Sequence, residues 1–478
     1  MRFLTLTVLT LCTSLWAVEL EELKRSEEWE TYLGQAGDLA RAHKFDAAGA
    51  LYAKLAEAAG KFSLPLTLLA KCRNNHAAML HASGHYVEAE KLYREAATLW
   101  TRSTGAKSEQ LATTLNNLGE VYRLTGRFAE AEKAYRDSLA IRDAIGQQNQ
   151  LRTAAALNNL GTVQLQAFRN GAAPTAADAE ANYQRALQIK RGALGPAHPE
   201  VAVLLNNLAA LRQETGDFSG AETLYREALA IREGQQPPDY PALASVHNNL
   251  GTLLRRDGRS EQAETHLVHA NTLWEQSLGP NHPTLAAGLN NCAELFLATG
   301  RLADAEPLFR RAIAIQEAAA GPDHLQTAAI VENLGALFLK QGKVQGAESL
   351  FRRVLAARTA QLGQGNPLTL DAMHNLAQSL TIQGRYTESE RLLTGELSII
   401  NSGQLRHSPQ HAAALVELAQ LHYAQHRLDS GAKFLDQLDA MASSLSAYQR
   451  SRLSDLRRNY SRQLPGPQPA PVKTLLPR

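Results

Sequence analysis

Asparagine pairs recur along this chain at a regular interval: Asn116-Asn117, Asn158-Asn159, Asn206-Asn207, Asn248-Asn249 and Asn290-Asn291. A carboxamide both donates and accepts, so a row of them can pair with the main chain of an extended peptide whatever that peptide's side chains are. The second member forms a ladder of Asn75, Asn117, Asn159, Asn207, Asn249, Asn291, Asn333 and Asn375. Asparagine is a poor helix former, at a cost of about 0.5 kcal/mol per site relative to alanine. Such repetition asks for a reason. One is recognition of a bound peptide; the other is pairing between neighbouring units that holds the pitch of a stack. The residues alone leave both open.

Charged candidates lie near the ladder. Arg255 and Arg256, supported by Arg259, make the densest basic spot, and Lys340 adds a further cation. A guanidinium there could take a ligand carboxylate in a forked geometry, or be a solvated surface cluster. The acids Glu120, Glu214, Glu294 and Asp371 share this face, with Ala210, Ala287, Ala298, Ala329 and Ala336 leaving room for ligand side chains.

Catalytic patterns are missing. The sequence has no Gly-rich phosphate loop, no Gly-x-Ser-x-Gly elbow and no His-Glu-x-x-His. The pairs His266/His269, His407/His411 and His422/His426 have helical spacing, but two ligands without a third make a weak metal site, so they read as surface histidines. Cys72 and Cys292 are far apart, and Cys292 occupies a core position, which predicts a buried small apolar residue. No enzyme, cofactor or metal is expected.

The elements that position these residues follow from a period. Copies begin at Leu115, Leu157, Leu205, His247, Leu289, Val331, Met373 and Leu415, with a weaker one at Arg73; every step is 42 residues except the 48 from Leu157 to Leu205. A period of this size means one supersecondary unit stacked on the next. Leu111, Leu115, Leu118 and Tyr122 fall on one face of a helix that Gly126 ends. Phe128, Ala131, Tyr135 and Leu139 form the face of a second. Each unit is a helical hairpin. At 100° per residue, Thr113, Asn116, Asn117, Glu120 and Leu124 lie opposite the core face. Packed helices sit roughly 8 to 10 Å apart and an extended chain advances about 3.3 Å per residue. One asparagine then meets about every third ligand residue.

A helix carrying Asn-Asn-Leu-Gly followed by one carrying Glu-Ala-Glu-x-x-Tyr/Phe resembles the tetratricopeptide repeat. The 42-residue period and the linkers Leu194-Gly195-Pro196-Ala197-His198-Pro199 and Leu278-Gly279-Pro280-Asn281-His282-Pro283 resemble its kinesin-light-chain subgroup. The resemblance implies an all-α, right-handed superhelical solenoid of about ten such repeats, with first helices lining the concave surface. It also implies that the second asparagines contact a bound peptide. In the linkers, glycine ends one helix and proline forbids continuation until the next is set. His198 and His282 recur there, but the matching positions hold Tyr240, Asn366 and Ser408, and Leu325 follows His324, so these histidines read as loop-packing residues.

The chain divides on this reading into a signal peptide (1–17), a degenerate N-terminal capping repeat (18–69), the solenoid (70–444), a C-terminal capping helix (445–464) and a disordered Pro-rich tail (465–478). Met1-Arg2 and the apolar run after it have the form of an export signal cleaved after Ala17, with an imperfect fit at Leu15. A lipid-attachment reading would use Cys12, behind a bulky Leu11. Nothing else could span a membrane. A six-residue enlargement of one turn, around Arg169 to Thr175, reads as a tolerated insertion or a partner-contacting loop. With 49 Lys+Arg against 47 Asp+Glu, the charge balance offers no electrostatic footprint for nucleic acid. The expectation is an exported, periplasmic or extracellular scaffold that binds a protein or peptide partner in its groove. The rival is a structural or self-assembling component of a cell-envelope complex acting through its convex face.

Overall fold

The computed structural model describes residues 26–146, 150–169, 176–402 and 408–441, together with 453, 454, 457 and 458. The signal-peptide and Cys12 readings, most of the enlarged turn, His407, nearly all of the proposed capping helix and the Pro-rich tail lie outside the described residues.

Among the described residues the chain is helical, in two compact units, Met1–Asp239 and Tyr240–Arg478. The first holds five hairpins: α1 (Ser26–Arg41) with α2 (Phe45–Lys61), α3 (Leu66–Ala82) with α4 (Tyr86–Thr104), α5 (Glu109–Leu124) with α6 (Phe128–Ile145), α7 (Gln150–Arg169) with α8 (Ala176–Leu194), and α9 (Pro199–Glu214) with α10 (Phe218–Glu233). The second holds five more: α11 (Tyr240–Arg256) with α12 (Ser260–Leu278), α13 (Pro283–Ala298) with α14 (Leu302–Ala320), α15 (Leu325–Lys340) with α16 (Val344–Leu362), α17 (Pro367–Ile382) with α18 (Tyr386–Ser402), and α19 (Pro409–Ala424) with α20 (Leu428–Ala440).

Among the described residues the hairpins close on the same turn. Gly126 has φ +75°, its N–H donates to the Arg123 carbonyl, and the Arg127 N–H reaches back to the Tyr122 carbonyl at 2.8 Å, which satisfies the last carbonyls of α5. The linker histidines have a definite task. In His198, His282 and His324 the ring Nδ1 accepts the N–H two residues on, at 3.2 Å, and Asn366 does the same through its side-chain oxygen at 2.9 Å. These are helix N-caps. Proline follows at the first helical position in α9, α13 and α17, where no N–H is needed.

In several hairpins the two helices touch through a glycine, Gly119, Gly161, Gly251 or Gly335. A Cβ at Gly119 would lie 2.9 Å from the Tyr135 ring, and one at Gly335 2.6 Å from Phe351. Tyr135, Tyr183 and Phe351 are fully buried at this contact, and Tyr225 and Phe309 are equally buried in hairpins that carry Ala209 and Ala293 at the glycine position. Between hairpins, the Glu at the last position of the Glu-Ala-Glu motif, kept where the first Glu is replaced, is the anchor: Arg127 reaches Glu90 at 2.6 Å, Arg301 reaches Glu264 at 2.7 Å and Arg385 reaches Glu348 at 2.8 Å. Deeper in, buried Arg142 of α6 donates to the Arg152 carbonyl of α7, and buried Arg358 of α16 to the Leu368 carbonyl of α17, both at 2.8 Å.

Candidate functional site: the first-helix asparagine face

The apolar face of each first helix is fixed against its partner, so the asparagines are turned to the other side, where all eight second asparagines are half-buried. In Met1–Asp239, Asn159 Nδ2 donates to Asn116 Oδ1 at 3.3 Å and Asn207 Nδ2 to Asn158 Oδ1 at 2.8 Å. In Tyr240–Arg478, Asn291 Nδ2 donates to Asn248 Oδ1 at 2.9 Å and Asn333 Nδ2 to Asn290 Oδ1 at 3.0 Å. Asn375 reaches Glu332 Oε1 at 2.8 Å, because Glu332 stands where the other repeats have the first asparagine.

The rule is that the second amide of one hairpin holds the first position of the hairpin before it. Asn75 and Asn117 depart from it and hydrogen-bond the hydroxyls of Tyr52 and Tyr93, each raised in pKa by burial. Asn249 is also engaged. The first asparagine is therefore as much a part of the ladder as the second, which the residue spacing did not reveal. A carboxamide carries two N–H groups and two lone pairs. For Asn207 and Asn291 the inter-repeat bond engages one of the two N–H groups, and both residues are half-buried.

The predicted charges are largely satisfied by one another. Arg255 pairs with Glu294 of the next first helix at 2.9 Å, and Lys340 Nζ donates to the Leu297 carbonyl at 3.4 Å. Arg259 donates to Gln262 and sits 3.6 Å from Asp257, and Arg256, although exposed, is also engaged. Glu120 accepts from Arg123 and from the Tyr135 hydroxyl at 2.9 Å. Burial opposes its ionisation, but these donors more than offset it and hold the carboxyl below its ordinary range.

Two histidine pairs look different in place. His266 Nδ1 lies 2.9 Å from Nδ1 of His247, a buried first-helix residue at a position most other repeats fill with leucine, and His269 stacks edge-on against the same ring at 4.6 Å. Burial and its two neighbours push His247 down to about 4. His422 is buried and bonds Glu390 at 3.1 Å, while His426 forms the hairpin turn with φ +59°. Among the described residues no group of three His, Cys, Asp or Glu is arranged to hold a metal ion. Cys72 and Cys292 are buried thiols, pushed up by burial to about 12 and about 11, so neither is a nucleophile at neutral pH. No helix among the described residues is long and apolar enough to cross a membrane.

Comparison with known proteins bears on the same architecture. A tetratricopeptide repeat family model matches residues 68–144, 175–234, 242–318 and 294–360, and a second such model matches 369–394. No curated protein matches the chain. Among solved structures, the apo form of the quorum sensor NprR from B. thuringiensis is similar over 78% of this chain and 99% of its own, at 13% identity and a TM-score of 0.55. BtubC (BKLC) from P. vanneervenii is similar over 48% of this chain and 92% of its own, at 22% identity and a TM-score of 0.43. A putative kinesin light chain with nearly identical TPR-like repeats from Podosopora anserina covers 43% of this chain and 99% of its own, at 23% identity and a TM-score of 0.39.

Proposed function

We propose that this chain, which belongs to the tetratricopeptide repeat family, is a protein-interaction scaffold that holds an extended partner segment against the asparagine face of its first helices. The family generally mediates protein–protein interaction. The observation that carries the finer reading is the ladder itself. Half-buried amides follow one another from hairpin to hairpin within each unit, each fixed by a neighbour and each with hydrogen-bonding capacity beyond that one bond. A pre-oriented amide loses little rotamer freedom when a ligand backbone arrives. The two readings of the ladder thus use different halves of the same group: one N–H sets the pitch, the remainder meets the ligand. We carry with this the export of the chain, from the apolar segment that follows Met1-Arg2, and the reading that it is not an enzyme.

The test is crosslinking capture from the native cell envelope with the wild-type chain and with the Asn207→Ala, Asn249→Ala, Asn291→Ala triple variant, helicity being checked by circular dichroism. A folded variant that loses the wild type's partners supports the scaffold. A folded variant that keeps all of them moves recognition away from this face.

A further inference from the structure

Second helices share one position that always lies at the bottom of the hairpin, and Ser138, Ala186, Ala228, Ala270, Ala312 and Val354 occupy it with no exposed surface. In α18 the same position holds Glu396. It too is fully enclosed, and among the described residues neither carboxyl oxygen has a hydrogen-bond partner. A buried polar group without a partner is expensive, and a carboxylate more so. Nothing about the hairpin requires it, since small residues serve elsewhere.

The neighbourhood is more acidic still. Asp371 of α17 and Glu417 of α19 both act on Glu396, and with burial they push its carboxyl up to about 8. Asp371 stands where other first helices have Ala287 and Ala329, both exposed, so its position belongs to the groove side. Glu417 replaces the second asparagine of the ladder. Nearby Arg358 and His374 are already engaged. Arg358 forks onto Glu332 at 2.9 and 2.6 Å and also holds the Leu368 carbonyl. His374 Nε2 is 3.9 Å from Glu417, and Asp371 accepts a 3.3 Å bond from Gln410. A metal does not suit the place, for no three-ligand group is present among the described residues.

We infer that a lysine or arginine side chain of the bound partner inserts between α17 and α19 on the groove side of Glu396, an inference that rests on the scaffold reading. The cation meets Asp371 and Glu417 at the groove and supplies Glu396 with the donor it lacks. The long Gln410–Asp371 bond is the contact that gives way on entry. The site fixes the register of the partner segment, which the neutral amide ladder, reading only main chain, does not.

An unbiased peptide library displayed on phage and selected on the immobilised full chain tests this. The comparison protein is the Asp371→Asn, Glu396→Gln, Glu417→Asn variant, with Glu417→Asn alone as a second variant that restores the ladder residue. The expected result is a lysine or arginine at one fixed position of the peptides selected by the wild type, absent from those selected by the triple variant. Replacing that residue by norleucine in one selected peptide should weaken binding to the wild type at least tenfold, with little change for the triple variant and an intermediate loss for Glu417→Asn. Peptides selected without a basic position, or a basic preference that the variants retain, overturn the inference and leave the scaffold intact. No peptide selected by any of the proteins overturns the scaffold reading, and this inference with it.

Discussion

Glu396 puts the tension between burial and charge into a single carboxyl. Its pKa in the folded chain, about 8, lies above the ordinary 4.5 because burial, Asp371 and Glu417 all disfavour the ionised form. The folded chain then keeps a proton that the unfolded chain releases. Its contribution is fully present below about 4.5 and is lost as the pH rises towards about 8. Glu396→Gln should remove that slope, so the drop in melting temperature between pH 5.5 and 8 becomes smaller than in the wild type. An unchanged drop would mean that the carboxyl is ionised in the folded protein. Residues of this kind were hard to read in the sequence. Glu396 sits in a segment where the repeat signature is already fading, and its meaning comes from α17 and α19, whose side chains approach it only in three dimensions. The second asparagines, by contrast, were legible because they recur at one position of a helix of known phase.

The helices themselves were the most legible part, since the 3.6-residue spacing of Leu111, Leu115, Leu118 and Tyr122 states which face is buried. What joins them was less so. His198 and His282 read as loop packing, yet their rings accept backbone N–H groups as Asn366 does, a task set by helix geometry and open to several residue types. The ion pairs from Arg127 to Glu90 and from Arg301 to Glu264 span 37 residues, beyond what either helix's own pattern can show. The glycine of Asn-Asn-Leu-Gly is likewise a statement about its neighbour. Gly119→Ala would set a Cβ 2.9 Å from the rigid Tyr135 ring. It should destabilise the chain by about 1–3 kcal/mol despite the better helix propensity of alanine, measured by urea unfolding. A neutral or stabilising effect would show that the pair has room to spread.

At the scale of the molecule, a stack of hairpins derives its stability from intrinsic and nearest-neighbour terms, and the amide ladder is one of those neighbour terms as well as the proposed binding face. Loss of partner on removing asparagines could therefore follow from a loosened stack. A direct test leaves the ladder untouched and fills the groove instead. Ala287 and Ala329 are exposed on the asparagine face and touch no part of the ladder's hydrogen bonding. The measurement is the affinity of one captured partner segment for the wild-type chain and for the Ala287→Trp, Ala329→Trp variant, at matched helicity and melting temperature. A segment lying along the first helices predicts a loss of at least tenfold. Equal affinity for the two proteins would contradict binding on this face and place the partner elsewhere.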